Sequence, residues 1–204
     1  MGKKNAIKKD SQSMITLKLM NWKDINVPIR GTTDLLMERD DGTCAEYYDK
    51  KKGKKIVKED TRLEEEKVEG KIHHTDDGKV GFPSSGFSTG MRKVAYSESN
   101  EKGMSMRVKE AIRFLEPMIP IKYEKMTVSS EIVKRGKAPA KAMRPQFKNW
   151  SAVLKIRYDA DLISLEQLIN LLNKTGVRRG IGGWRPEKGG IYGQYEVIRN
   201  EKTA

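Results

Sequence analysis

The segment 150–176, WSAVLKIRYDADLISLEQLINLLNKTG, constrains the fold more than any other stretch of the chain. In its first part Trp150, Ala152, Leu154, Ile156 and Tyr158 recur at every second position, which puts all five on one face of a strand. In its second part Leu165, Leu168, Ile169 and Leu172 recur at helical spacing. Ser164 and Gln167 stand three apart at the start of that helix, the spacing of a capping box in which each side chain bonds the other residue's backbone N–H. Gly176 stands where a left-handed C-terminal cap belongs. A strand with one apolar face that leads into an amphipathic helix must bury both faces against further elements.

The remaining elements follow from the same periodicities. Ile15, Leu17 and Leu19 alternate in MITLKLM (14–20), a strand signal, and NVPIRGTTDLLM (26–37) is a second extended piece broken at Gly31. HTDDGKVGF carries an Asp-Gly turn signal and predicts a hairpin. PSSGFSTGMRKVAYSE (83–98) predicts a serine-capped helix, with Gly86 and Gly90 four apart on one face for close packing. Met104, Val108, Ala111, Ile112 and Leu115 predict a helix over 104–115, and MIPIKY (118–123), MTVSSEIV (126–133) and YGQYEVI (192–198) predict strands. The order is βαββαβ, an α+β antiparallel sandwich of the ferredoxin-like, RRM-like type. Residues 38–70 are dominated by charge, a basic block before an acidic one, and are expected to protrude as a partly helical insertion because they can bury little apolar area. The expected organisation is a disordered basic arm over 1–13 and a single domain over 14–200.

Charge narrows the function. The chain carries 41 Lys and Arg against 28 Asp and Glu, a net +13, which calls for a polyanionic partner, nucleic acid before an anionic membrane surface. The single cysteine, Cys44, excludes an intramolecular disulfide and any cysteine-cluster metal site, and fits a reducing compartment. No apolar run approaches the ~20 residues of a membrane span, and MGKKNAIKKDSQS lacks the apolar core of a signal peptide. A cytoplasmic protein without a membrane partner is the expectation.

Three basic elements are candidates for the interface. GVRRGIGGWRPEKGGIYGQYEV (176–197) has Arg178, Arg179, Arg185 and Lys188 for phosphates. Gly182, Gly183, Gly189 and Gly190 would let backbone approach a ligand, and Trp184 and Tyr192 could stack on bases. A connection this long in a small domain is usually functional, although a flexible helix-to-strand link is the plainer reading. It is neither a P-loop nor a Rossmann fingerprint, since no Gly-Lys-Ser/Thr follows and it leads from helix to strand. KRGKAPAKAMR supplies Lys134, Arg135, Lys137, Lys141 and Arg144 with no carboxylate between them, a phosphate-tracking loop or a solvated linker. Arg92 and Lys93 lie in the STGMRK helix, whose N-terminus is itself suited to anions. His73 and His74, the only histidines, are adjacent on a strand-like stretch and so point to opposite faces; either alone could act in RNA cleavage but is more often a surface residue. Asp40 and Asp41 could hold a metal but read as a turn. No catalytic residue, metal or cofactor is assigned.

VPIRGTTDLLM, GFPSSGFSTGMRKVA and GIGGWRPEKGGIYGQYEV, in that order, resemble the RAMP superfamily, which includes backbone subunits of CRISPR effector complexes. The second is similar to the family's Pro-Gly-Ser-Ser-Leu-Lys-Gly-x-x-Arg helix start, with Ser84, Ser85, Gly90 and Arg92 in analogous places. The third looks like its C-terminal Gly-rich loop, and 38–70 sits where those subunits carry a thumb-like extension. The chain also looks like a group of phage-encoded proteins with a GxGxWRPEKGGxxGxxEV-type ending. The resemblance implies non-enzymatic, largely sequence-independent binding of single-stranded RNA or DNA. The implied partners are copies of itself or CRISPR-type effector subunits, in a bacterial cytoplasm if phage-encoded. Two alternatives accompany it: an endoribonuclease of the same superfamily, and a phage inhibitor that imitates a CRISPR subunit.

Overall fold

The alternation over 150–158 produces a strand around which the molecule is organised. The computed structural model describes residues 19–39, 47–49, 54–56, 62–99, 103–135 and 138–198, without the side chains of 47–49, 54–56, 133–135 and 138–141. Its elements are β1 (Trp22–Gly31), β2 (Leu35–Leu36), β3 (Tyr47–Asp49), β4 (Lys54–Ile56), α1 (Glu64–Glu69), β5 (Gly81–Pro83), α2 (Ser84–Glu98) and α3 (Met104–Ala111). They continue with β6 (Ile112–Phe114), β7 (Met118–Lys122), β8 (Lys125–Arg135), β9 (Ala138–Lys148), β10 (Ser151–Asp159), α4 (Leu165–Arg178) and β11 (Tyr195–Val197).

β10 pairs antiparallel with β1 from Trp22↔Asp159 to Arg30↔Ser151, and its other edge takes β6 and β7. β11 closes the far side of β1 at Ile29–Gly31, giving the order β11-β1-β10-β7-β5. Stripped of decorations, β1, α2, β6/β7, β10, α4 and β11 form βαββαβ with the strands in spatial order fourth, first, third, second. This is the ferredoxin-like sandwich. β8 and β9 form a long ribbon paired over eleven residues a side, joined by β2 into a second sheet.

The core lies between the main sheet and two helices. Val27 and Ile29 from β1 and Ala152, Leu154 and Ile156 from β10 face Phe87, Met91 and Val94 of α2 and Leu168 and Leu172 of α4, all of them buried. Burying one such aliphatic or aromatic side chain contributes about 1.5–3 kcal/mol. A chain of edge-to-face aromatics runs Phe82–Phe87–Tyr195–Trp150, with centroids 5.6 to 6.2 Å apart. Trp150 has no exposed surface, and its indole N–H donates to the Thr33 carbonyl at 2.8 Å. A β-carbon on Gly31 would lie 2.1 Å from that nitrogen, so the Gly break in VPIRGTT makes room for the tryptophan.

The structure corrects several expectations. α2 begins at Ser84 but its N-cap is Pro83, with no side-chain cap; the Ser84 N–H donates instead to the Pro117 carbonyl at 2.9 Å. The 104–115 periodicity ends as helix at Ala111, because Ile112–Phe114 is drawn into pairing with β10, where buried Ile112 lies opposite Tyr158. α4 has its Ser164/Gln167 capping box, but it runs on to Arg178, and positive φ appears at Gly180 rather than Gly176. Of the basic stretch 134–148, residues 134–135 and 138–148 are strand rather than loop. A proline costs a strand only its N–H, and Pro145 still accepts from the Met37 N–H at 3.1 Å. The first strand starts at Trp22 and takes in 26–31, while 14–18 of the expected earlier strand, like the 1–13 arm, lie outside the described residues. Within 38–70 the described elements of secondary structure are the paired strands β3 and β4 and the helix α1. The Asp-Gly hairpin forms as expected, with His74 paired to Val80 and Gly78 at φ +77°.

Candidate nucleic-acid interface

The Gly-rich stretch between α4 and β11 is a compact loop that bonds largely to its own backbone and to its neighbours. The Ile181 N–H donates to the Gly193 carbonyl at 2.9 Å, the Gly190 N–H to Arg185 at 3.1 Å, and the Tyr192 N–H to Trp184 at 3.1 Å. The loop is anchored to the segment around β2 by Gly183 N–H to the Leu36 carbonyl and Gly193 N–H to the Asp34 carbonyl, both 2.8 Å. A β-carbon would lie 2.2 Å from the Leu36 oxygen at Gly182, and 1.8 Å from the Trp184 oxygen at Gly190. These glycines let backbone approach backbone, where the sequence suggests approach to a ligand. The folded loop holds Trp184 at φ +46°, a conformation rare and strained for a side chain of this size, with its ring 46 % exposed.

Glu187, in the 3-10 turn Pro186–Lys188, organises the cations of the loop. Its carboxylate accepts from Arg185 Nε at 2.9 Å and from Lys93 Nζ of α2, and lies 3.8 Å from Arg179 Nη1. Burial works against ionisation of Glu187, but the bonds from Lys93 and Arg185 outweigh it and hold its pKa below the ordinary value. Arg185 is further fixed by donating Nη1 to the Gly182 carbonyl at 2.9 Å. The expected phosphate ligands Lys93, Arg179 and Arg185 are thus drawn together by a carboxylate that charge counting from sequence overlooks.

Between this loop and the first two turns of α2 lies a cleft of about 530 Å³. Arg144, Gly182, Gly183, Trp184, Arg185 and Lys188 line it from the expected site, together with Ser85, Gly86, Thr89 and Gly90 of α2. Glu38, His73, Phe82, Gly180, Ile181 and Glu187 complete it. The two segments nominated from sequence face each other across it, the helix start through Ser85, Gly86, Thr89 and Gly90 rather than through its cations Arg92 and Lys93, and the Gly-rich loop through Arg185 and Lys188.

Other expected residues lie elsewhere. Arg178 and Lys174 both pair with Glu98 at the end of α2, away from the cleft, and Arg178 with Lys174 holds the Glu98 pKa down. Arg92 is half-buried in α2, its Nε buried without a hydrogen-bond partner, and does not line the cleft. Gly189 is the left-handed cap of the 3-10 turn, and half-buried Tyr192 also stands off the cleft. The side chains of Lys134, Arg135, Lys137 and Lys141, and Asp40 and Asp41, lie outside the described residues. His74 is exposed and lies 3.4 Å from Glu69, while half-buried His73 stands edge-on to Phe82 in the cleft wall. Burial, then Arg39 and His74, push the His73 pKa down and keep it neutral. Among the described residues no group of three or more His, Cys, Asp or Glu could hold a metal ion, and no helix is long and apolar enough to cross a membrane.

Sequence reasoning missed Glu38 and Glu187. Glu187 is visible only as the one acid in an arginine-rich motif, and Glu38 was assigned to the insertion.

No family model matches the chain, and no curated protein matches it significantly. Among solved structures it is similar to a chain of the type III-B Cmr-beta complex bound to cognate target RNA, determined by cryo-EM, with a TM-score of 0.56 at 12% identity. The match covers 88% of this chain and 60% of the other, so this chain spans about three fifths of its neighbour's length. At that identity the likeness is one of fold.

Proposed function

We propose that the protein binds single-stranded nucleic acid, RNA before DNA, in the cleft between the α2 N-terminal turns and the Gly-rich loop. The observation that carries this reading is the convergence of two separately nominated basic motifs on one cleft. Its rim has Arg185 and Lys188, with Lys93 paired to the Glu187 of the same rim, and it presents a strained, half-exposed tryptophan. Cations of this kind hold phosphates without reading sequence, and an aromatic face stacks on any base. The first turn of α2, with no side-chain cap, adds backbone donors to the same wall. The fold likeness to a chain from a complex that binds target RNA supports the choice of ligand class. Binding is non-enzymatic, and the natural setting is an assembly with copies of itself or with CRISPR-type effector subunits.

Titration of fluorescent 20-mers of RNA and DNA, single-stranded and duplex, at several salt concentrations tests the reading. Three to four neutralised phosphates give a log K against log salt slope of about −2 to −3 on single strands. Arg185→Ala with Lys188→Ala flattens that slope. Absent or salt-independent binding to every 20-mer refutes the proposal. A second reading, a metal-independent ribonuclease, is favoured by one observation, the neutral His73 in the cleft wall. It requires RNA turnover that His73→Ala abolishes while binding survives.

A further inference from the structure

The floor of the cleft differs in charge from its rim. Arg144, on β9, is 6 % exposed, the most deeply buried arginine among the described residues. It reaches two carboxylates: Glu38 just after β2, with Nη2 donating to Oε1 at 3.3 Å and Nε 3.2 Å from Oε2, and Glu131 on β8, 3.7 Å from Nη1. Of these Arg144 and Glu38 line the cleft, and Glu38 is the exposed member, so the floor presents a carboxylate to whatever enters. The rim carries Arg185 and Lys188 against Glu187, itself paired from outside the cleft by Lys93 and Arg179, and is net positive. Hydrogen bonding at the floor is incomplete as well. Arg144 Nε and Nη1 and Glu131 Oε2 are buried without a hydrogen-bond partner, which a native interior rarely leaves so. Glu38 itself is 44 % exposed and lines the cleft, so its carboxylate retains acceptor capacity toward whatever enters.

A phosphate fits the rim and is repelled by the floor. The floor suits a neutral group that donates a hydrogen bond to a carboxylate and can accept one from a guanidinium. The ribose 2′-hydroxyl is such a group, donor and acceptor at once, and it is the feature by which a protein tells RNA from DNA. We propose that Glu38, oriented by the buried Arg144, accepts a hydrogen bond from a ribose 2′-hydroxyl and makes the cleft selective for RNA. This rests on the nucleic-acid reading of the cleft. Arg144 acts here as a positioning residue: it aims the Glu38 carboxylate, and Glu131 holds the guanidinium from behind.

The test compares oligo(U) 20-mers with 2′-hydroxyl, 2′-deoxy and 2′-fluoro sugars, on the full chain and on Glu38→Ala, with melting curves confirming that the variant is folded. The fluoro sugar keeps the RNA-like pucker but has no proton to donate. The wild type binds the 2′-hydroxyl strand about tenfold more tightly than the other two, the discrimination expected from the net gain of one hydrogen bond to a charged, partly exposed group. In Glu38→Ala the three strands converge. Loss of a carboxylate strengthens phosphate attraction for all three alike, so the ratio is the readout. If Glu38→Ala fails to fold, the wild-type comparison of hydroxyl with fluoro strands decides alone. Equal wild-type binding of the three strands overturns the proposal while leaving nucleic-acid binding intact. Equal binding of hydroxyl and fluoro strands with weak deoxy binding overturns it too, because sugar pucker is then what is read. A hydroxyl preference that persists in a folded Glu38→Ala assigns the contact to another group. Binding of none of them removes the nucleic-acid reading and this one together.

Discussion

Gly176 sets two effects of known size against each other. It lies in the interior of α4, where replacing glycine by alanine ordinarily stabilises a helix by about 1 kcal/mol. In this structure, however, an alanine β-carbon would lie 2.0 Å from the Tyr195 carbonyl oxygen, where ordinary contact starts at 3.4 Å, a deficit of 1.4 Å. The clashing atom is backbone in β11 and cannot rotate away, so the helix must withdraw from the strand. That withdrawal strains the Tyr195 ring contacts with Phe87 and Trp150, at 5.6 and 6.2 Å. Overpacking of this kind costs about 3 kcal/mol at the upper end of its usual range. Gly176→Ala is therefore expected to destabilise by about 2 kcal/mol net, a fall in Tm of about 4–8 °C for a chain of this size. Calorimetric melting measures it, with the exposed neighbour Val177→Ala as a control within about 0.5 kcal/mol of wild type. A Gly176→Ala protein as stable as wild type, or more so, would refute the reasoning and restore Gly176 to the role of a mere helix end.

Two further expectations concern the loop. Because the folded Glu187 carboxyl has a lowered pKa, its contribution to stability is fully present above the ordinary value of 4.5 and is lost as pH falls through the folded value. The Tm difference between wild type and Glu187→Gln, corresponding to about 1 kcal/mol for a partly exposed network, is accordingly constant from neutral pH down to that point and vanishes in acid; a difference that grows on acidification contradicts the assignment. Trp184→Ala removes a half-exposed ring without disturbing the core, so it weakens single-strand binding by about 1–3 kcal/mol in a titration while leaving Tm nearly unchanged.

Much of the scaffold was legible in the sequence because periodicity reports burial directly. The alternation over 150–158 answers to a one-sided sheet, with each of the five strand residues buried, and the stripe over 165–172 to a helix that buries Leu168 and Leu172 but leaves Leu165, in its first turn, exposed. Where local pattern and tertiary pairing disagreed, pairing won: Ile112 left a helical repeat to join β10, and the prolines of 138–148 were accommodated in a ribbon that reads locally as loop. Of the site, residue types and the two motifs were legible, whereas their partners were not. Counting charges cannot show that Glu187 gathers Lys93 to the loop or that Glu98 holds Arg178 and Lys174, because those pairs join residues 94, 80 and 76 positions apart.

By itself, then, the sequence determined the βαββαβ order, the positive charge and the two segments rich in glycine and cations, since each depends on neighbours along the chain. The tertiary structure decided that these segments face one another across a cleft whose rim carries Arg185 and Lys188 and whose floor presents the Glu38 carboxylate. It also decided that the loop glycines close backbone on backbone. Both outcomes depend on distances between residues far apart in sequence, and only the packed sheet and helices set those distances.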